Sequence, residues 1–206
     1  MELYNFIQSP NGQRVDIFMK EKNIDIPTIN VDLMKLENHR PDMKAMNPSG
    51  TLPFLKVSDS VIIPETMAIC RYLEAKYPHN PMFGYTPEEQ GMIESVRRRI
   101  EFEGLLMVSD VMRNSLEFFK DRGLPGKQQV PQIPALAERG VEQCKRFLAW
   151  MEEHLSGSEF MVGNSFSIAD IDAYATIQSM KLINIMPEHT NTLKWLVNTK
   201  NRASVK

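Results

Sequence analysis

Cysteine is nearly absent from this chain: of 206 residues, only Cys70 and Cys144 carry a thiol. Two distant thiols without a CxxC spacing exclude a disulfide framework, a cysteine zinc centre and a dithiol redox pair, and no metal is expected. Cys70, set among Ala68, Ile69 and Leu73, reads as a small buried hydrophobe. Positive charge is not in excess, with 24 Lys+Arg against 26 Asp+Glu. The formal net charge is -2, so the chain lacks the basic excess that nucleic acid or an anionic membrane surface would select. The one basic run, Arg97-Arg98-Arg99, falls in a helical pattern and reads as a solvated face or an interface. No apolar run approaches membrane-spanning length. The opening Met1-Glu2-Leu3-Tyr4-Asn5-Phe6 lacks the basic and apolar regions of a signal peptide, so a cytoplasmic location is expected. What remains is the composition of an ordinary soluble globular protein, 42% hydrophobic and 24% charged, long enough for one large domain or two small ones. There is no internal repeat and no low-complexity segment.

The first eighty residues alternate strand and helix signals. Leu3 to Ile7 reads as a strand that ends at the turn Ser9-Pro10-Asn11-Gly12. Val15, Ile17, Phe18 and Met19, up to Ile24, form a helical stripe. Thr28 to Val31 is a second strand, made parallel to the first by the helix between them. Arg40 to Met46 is a short helix or turn, and Met67 to Tyr77 a helix stopped by Pro78. Pro78 to Pro87 concentrates proline and glycine as a linker. Beyond it the strand signals vanish, and helices are expected over Glu88 to Lys120, Pro134 to Leu155, Ile168 to Met180 and Thr192 to Thr199. Breaks are expected at Gly123-Leu124-Pro125-Gly126, Ser156-Gly157-Ser158 and Met186-Pro187. Ser167-Ile168-Ala169-Asp170 matches a capping box, with Phe166 and Ile171 placed to staple it. Trp150 and Trp195 read as core. The expected architecture is an α/β domain of order βαβ-ββα with a mixed sheet over residues 1–78, a linker at 79–87, and an all-α domain over 88–206.

The most specific stretch runs from Asn47-Pro48-Ser49-Gly50-Thr51-Leu52-Pro53 to Pro64-Glu65-Thr66. It reads as a turn, a strand (Phe54 to Val57), a reversal at Ser58-Asp59-Ser60, a second strand (Val61 to Ile63) and a helix start. Pro53 cannot donate to a ladder and so belongs at the strand's first position; X-Pro bonds are also where cis peptides occur. Glu65-Thr66 falls at a helix N-terminus, where unpaired N–H groups attract an anion. A backbone edge at Leu52, an acid and an anion-binding helix end suit a small zwitterionic peptide such as glutathione.

A βαβ-ββα unit carrying N-P-x-G-x-x-P and then P-E-T, followed by a helical half with a Ser-Ile-Ala-Asp cap, resembles the cytosolic glutathione transferases over nearly its whole length. The resemblance implies a thioredoxin-like N-terminal domain that binds glutathione, a helical domain that supplies the electrophile site, and a homodimer built from the helices after Thr66 and after Pro87. It makes Pro53 the cis proline, presenting the N–H and C=O of Leu52 to the cysteinyl part of glutathione. Glu65 would accept the γ-glutamyl ammonium, and Thr66 the γ-glutamyl carboxylate. His39 or Arg40 would reach the glycyl carboxylate. Thr51 stands where a longer polar residue often contacts that end, and Thr66 where serine is more usual.

The chemistry needs a glutathione thiolate near neutral pH. Ser9 and Asn11 are the candidate donors to it, by hydroxyl, side-chain amide or an exposed backbone N–H. The alternative is that they merely form a turn and cap the helix. Ser9-Pro10-Asn11-Gly12 resembles the first turn of the bacterial nu class, and a serine there also fits theta-like classes; Tyr4 lies inside the strand and is not read as a catalytic tyrosine. The electrophile site is expected along Met107, Val108, Val111 and Met112, whose spacing also suits plain core; Asp110 or Arg113 could reach the same cleft. Three functions remain open: conjugation of glutathione to small hydrophobic electrophiles, a nu-like glutathione-dependent disulfide reduction with peroxidase activity also possible, or a non-catalytic transferase-fold regulator of the kind that contacts RNA polymerase.

Overall fold

The structure, a computed structural model, describes residues 1–125 and 129–206; Gly126, the last residue of the expected break near position 123, lies outside them. The chain divides into two compact units, Met1–Asn80 and Pro81–Lys206.

The first unit is built on a four-stranded sheet in the order β2-β1-β3-β4, with β1 (Glu2–Asn5), β2 (Thr28–Asn30), β3 (Phe54–Ser58) and β4 (Val61–Pro64). β2 runs parallel to β1, whereas β3 is antiparallel to both β1 and β4. Its helices are α1 (Pro10–Glu21), α2 (Pro41–Met46) and α3 (Thr66–Lys76). Alternation along the strands sends Tyr4 and Phe54 to one face and their neighbours Leu3 and Leu55 to the other. On the first face Tyr4 stacks on Phe54 with ring centroids 4.6 Å apart, within a cluster that includes Val31, Met43 and Leu52. Leu3 and Leu55 are fully buried, as are Val15 and Phe18 of α1 and Ile69, Cys70 and Leu73 of α3. Each such side chain contributes on the order of 2 kcal/mol of apolar burial. Lys22, at the end of α1, is also buried; its Nζ meets Glu74 Oε2 at 2.8 Å and donates to the carbonyls of His79 at 2.7 Å and Asn80 at 3.0 Å. That single ammonium joins α1, α3 and the segment that follows α3.

The second unit is helical: α4 (Pro87–Arg99), α5 (Leu106–Ser115), α6 (Pro134–His154), α7 (Ile168–Lys181) and α8 (Thr190–Lys200). The expected continuous helix over Glu88 to Lys120 is corrected. A π-helical segment, Ile100–Leu105, separates α4 from α5, and α5 ends at Ser115 before a 3-10 turn at Glu117–Phe119. A widened turn leaves the apolar spacing on either side nearly helical, so periodicity alone does not expose it. Within it the backbone packs closely on neighbouring helices: a Cβ on Gly104 would lie 2.9 Å from Thr176 and 3.0 Å from Phe147. The basic run is corrected at Arg97 alone, since Arg98 and Arg99 are exposed as expected. Arg97 is buried, bidentate to Glu94 at 2.9 Å and 2.9 Å, with Glu101 at 3.3 Å and Asp172 of α7 at 3.5 Å. Trp195 is buried as expected, but Trp150 is only half-buried, under the Arg99 guanidinium.

The capping box at α7 forms as its letters specify, with Ser167 N–H donating to Asp170 Oδ2 at 3.0 Å and Ala169 N–H to Ser167 Oγ at 3.3 Å. Asp170 does more than cap. Its Oδ1 accepts from Met161 N–H and from the Trp195 indole, both at 2.9 Å, so one carboxylate ties α7 to α8 and to the preceding loop. Burial pushes its pKa up to about 6 against the pull of these donors.

Candidate glutathione site

Strand register builds the site. Tyr4 pairs with Phe54 and Phe54 with Pro64. The segments that follow β1, precede β3 and follow β4 therefore leave the sheet at one end. They carry, in turn, the Ser9 turn, the Leu52-Pro53 bond and the Glu65-Thr66 helix start. Residues forty to sixty positions apart in sequence are thus gathered by three adjacent strands.

The first turn is tightly made. Ser9 is the N-cap of α1, with Pro10 in the first helical position, where its missing N–H costs nothing. The Ser9 hydroxyl donates to Phe6 O at 2.9 Å and accepts from Gly12 N–H at 3.0 Å. Asn5, buried in β1, donates from Nδ2 to Gly12 O at 3.2 Å. A Cβ on Gly12 would stand 2.1 Å from Phe6 O, so no other residue fits. Asn11 is exposed, and its Oδ1 accepts from Arg14 Nη1 at 3.0 Å.

The Leu52-Pro53 peptide is cis. Its loop is braced from within: Asn47 Nδ2 donates to Thr51 O at 2.9 Å, and Asn38 Nδ2 to Gly50 O at 2.7 Å. Gly50 supplies the left-handed turn at φ 67°. The Thr51 hydroxyl lies 2.8 Å from Ser49 Oγ and 3.3 Å from Asn47 Nδ2, which makes it part of the brace. Among the described residues, the N–H and C=O of Leu52 take no hydrogen-bond partner, although the side chain is buried.

Glu65 precedes α3 at φ 75°, ψ 127°, a conformation that costs a glutamate on the order of 1–3 kcal/mol. Its carboxylate is exposed, whereas Thr66, in the first position of α3, is buried. The first N–H groups of an 11-residue helix point outward there.

The two basic candidates separate. Arg40 is exposed and forked onto Asp42, with Nε at 3.1 Å and Nη2 at 2.6 Å, which lowers the Asp42 pKa and raises that of Arg40. His39 instead sits beside the loop, its Nδ1 3.4 Å from where a Gly50 Cβ would be, with Lys44 Cε at 3.5 Å. Lys44, one turn before Asn47-Pro48 on α2, is marked in the sequence only by the basic character of the 39–44 segment.

The four α5 residues also divide. Val108 and Val111 are buried, with Val111 Cγ2 packed 2.6 Å from the Cβ position of Gly140 on α6; they pack α5 against α6. Met107 and Met112 are half-buried and retain accessible surface.

A sheet that gathers a capped first turn, a cis-proline edge and an acid-threonine helix start, in a chain that continues as a helical unit, defines a thioredoxin-like glutathione-binding architecture. Comparison with known proteins agrees over both units. The family profile "Glutathione S-transferase, N-terminal domain" matches residues 3–81, and "Glutathione S-transferase, C-terminal domain" matches residues 134–197. Glutathione S-transferase 2 of Saccharomyces cerevisiae is 29% identical over 210 aligned positions, covering 100% of this chain and 88% of the yeast protein. A solved glutathione S-transferase domain-containing protein of Marinobacter aquaeolei shares 26% identity at a TM-score of 0.91, covering 100% of both chains. The structure of Gtt2 from Saccharomyces cerevisiae shares 26% identity at a TM-score of 0.88, covering 100% of this chain and 98% of that one. The chain belongs to the glutathione S-transferase family. Its co-substrate is glutathione.

Proposed function

We propose that this glutathione transferase holds the tripeptide across the end of the sheet and activates its thiol chiefly through Asn11. The domain reading that accompanies this assigns glutathione to residues 1–78 and the electrophile to 88–206. The Leu52 backbone pairs with the cysteinyl residue as an added strand. Glu65 takes the γ-glutamyl ammonium, while the Thr66 hydroxyl and N–H hold the γ-glutamyl carboxylate at the start of α3. His39, with Lys44 beside it, faces the glycyl carboxylate. Arg40 is already committed to Asp42, and Thr51 acts through the loop it braces.

The observation that carries the chemistry is the division of labour in the first turn. The Ser9 hydroxyl already donates to Phe6 O and accepts from Gly12 N–H. Donation to a sulfur would require it to leave the first of these bonds. Among the described residues the Asn11 side chain bonds through its oxygen alone, toward Arg14, which leaves its Nδ2 donors available. A hydrogen bond to a charged acceptor contributes about 1.5–3 kcal/mol. That corresponds to roughly one to two pKa units below the ordinary thiol value, enough to populate the thiolate near neutral pH. Ser9 then serves by shaping the turn.

The electrophile is a small apolar molecule, received along the accessible surface of Met107 and Met112, with Val108 and Val111 behind them as packing. A homodimer and a cytoplasmic location belong to the same proposal. The exposed Met92 side chain on α4 is available to an apolar contact between copies. The cytoplasm is where glutathione is kept in its reduced form.

The test is turnover with chlorodinitrobenzene, with hydroxyethyl disulfide as the comparison substrate, after calorimetric measurement of glutathione binding. Asn11→Ala is expected to spare binding and lower kcat/KM by on the order of tenfold or more. Ser9→Ala is expected to lower melting stability by about 1 kcal/mol through the lost cap, with a smaller effect on rate. A larger rate loss in Ser9→Ala than in Asn11→Ala would return the thiol to the hydroxyl. Absence of glutathione binding would sink the whole assignment.

A further inference from the structure

We propose that Arg14 is a positioning residue for thiol activation: it grips the Asn11 carboxamide by its oxygen and so turns the N–H side toward the glutathione sulfur. This rests on the reading of Asn11 as the thiol donor and adds the reason that an asparagine can serve there.

A carboxamide has an oxygen that accepts and a nitrogen that donates, on opposite sides of one rotatable bond. An exposed asparagine free to rotate would present either. With its oxygen toward a thiolate it would repel the charge; with its nitrogen it would stabilise it. Something has to break that symmetry. A guanidinium carries donors alone, so the atom 3.0 Å from Arg14 Nη1 has to be the oxygen, Asn11 Oδ1. The spacing follows from the helix, since residues 11 and 14 stand one turn apart near the start of α1 and face the same way. Their exposures are opposite. Arg14 is 3% exposed whereas Asn11 is open to solvent, so the grip comes from the interior and the free nitrogen is left on the outer side. A buried cation on the carbonyl oxygen also draws electron density from the amide and strengthens its N–H donors. Arginine suits this place better than lysine because its planar fork keeps its direction.

The experiment is a double-variant cycle on the full-length protein, read as the pKa of the bound glutathione thiol from the ultraviolet absorbance of the thiolate against pH. Binding of glutathione is measured in parallel by calorimetry. Asn11→Ala alone tests the underlying reading and is expected to raise the bound thiol pKa by about one unit, a roughly tenfold loss of thiolate near neutral pH. Arg14→Met is expected to raise it by a similar amount while leaving glutathione affinity within about twofold, because the side chain acts on the thiol donor and not on the peptide's ends. The double variant is expected to shift no further than either single one. Arg14→Gln, which carries no charge and is too short to reach Oδ1, is a second truncation, and whichever variant keeps the wild-type circular dichroism and melting profile is read. A shift in Asn11→Ala with none in the Arg14 variant, or shifts that add in the double variant, overturns the positioning role while the donor reading stands. A silent Asn11→Ala overturns both.

Discussion

Glu65 is the residue at which the proposed binding mode and stability pull in opposite directions. Its φ of 75° suits glycine, and its carboxylate faces solvent, so the fold gains nothing from a glutamate there. In the proposed binding mode its carboxylate meets the γ-glutamyl ammonium instead. Glu65→Gly is therefore expected to leave the unliganded protein as stable or up to about 1 kcal/mol more stable, while weakening glutathione binding by on the order of tenfold or more. Calorimetry and a melting curve on the same preparation check both halves, and a variant that lost stability as well would show that the left-handed backbone is supported by the side chain. Much at this scale was legible in advance. Pro53, Glu65 and Thr66 announce themselves because proline and a helix start have few uses next to a strand. Arg14 and Lys44 did not, because an arginine or lysine in an amphipathic helix carries no mark of what its end touches. Val108 and Val111 were misleading for a related reason: an apolar side chain at helical spacing looks the same whether it lines a site or packs one helix on another.

Elements owe their ends to single side chains, and α8 gives a pH-dependent case. Glu152 of α6 accepts from the N–H of Asn191 at 3.1 Å and of Thr192 at 2.9 Å, and from the Thr192 hydroxyl at 3.1 Å. Desolvation pushes its pKa up, the three donors pull it down, and the balance lies below the ordinary glutamate value. A carboxylate depressed in the folded state contributes stability that is complete above its unfolded pKa and fades as the pH falls through the folded one. The stability difference between wild type and Glu152→Gln, followed by urea denaturation, is thus expected to be largest near neutral pH and to shrink below about pH 4. A difference that grew in acid would contradict the assignment. The strands and caps of this protein were legible because each rests on local letters: Ser167 and Asp170 specify a cap whatever packs around it. The break inside the long helix was not, because a π turn leaves the apolar spacing on either side nearly helical.

At the scale of the whole molecule, the order of elements could be read from the alternation of patterns in residues 1–80 and its disappearance afterwards. The convergence of three distant segments could not, since it depends on which strands become neighbours and in what register. The strand order 2-1-3-4 brings three loops to one end of the sheet as a candidate site, and only pairing fixes that order. The π-helical segment between α4 and α5 has a different consequence, for the length of the chain itself. A π turn spends one residue more than an α turn over the same stretch of axis, so the polypeptide here is one residue longer than the rod it builds. Removing exposed Phe102 from Ile100–Leu105 would let the segment close as ordinary α-helix while Arg97 still meets Asp172 and Val111 still meets Gly140. A one-residue deletion at Met92, within the regular turns of α4, would instead swing everything before it by about a quarter turn. The shortened chain is expected to fold and turn over in the first case and to fail in the second, as expression, melting and a transferase assay would register. The segment is in effect a spare link, a place where this protein can lose a residue without losing its register.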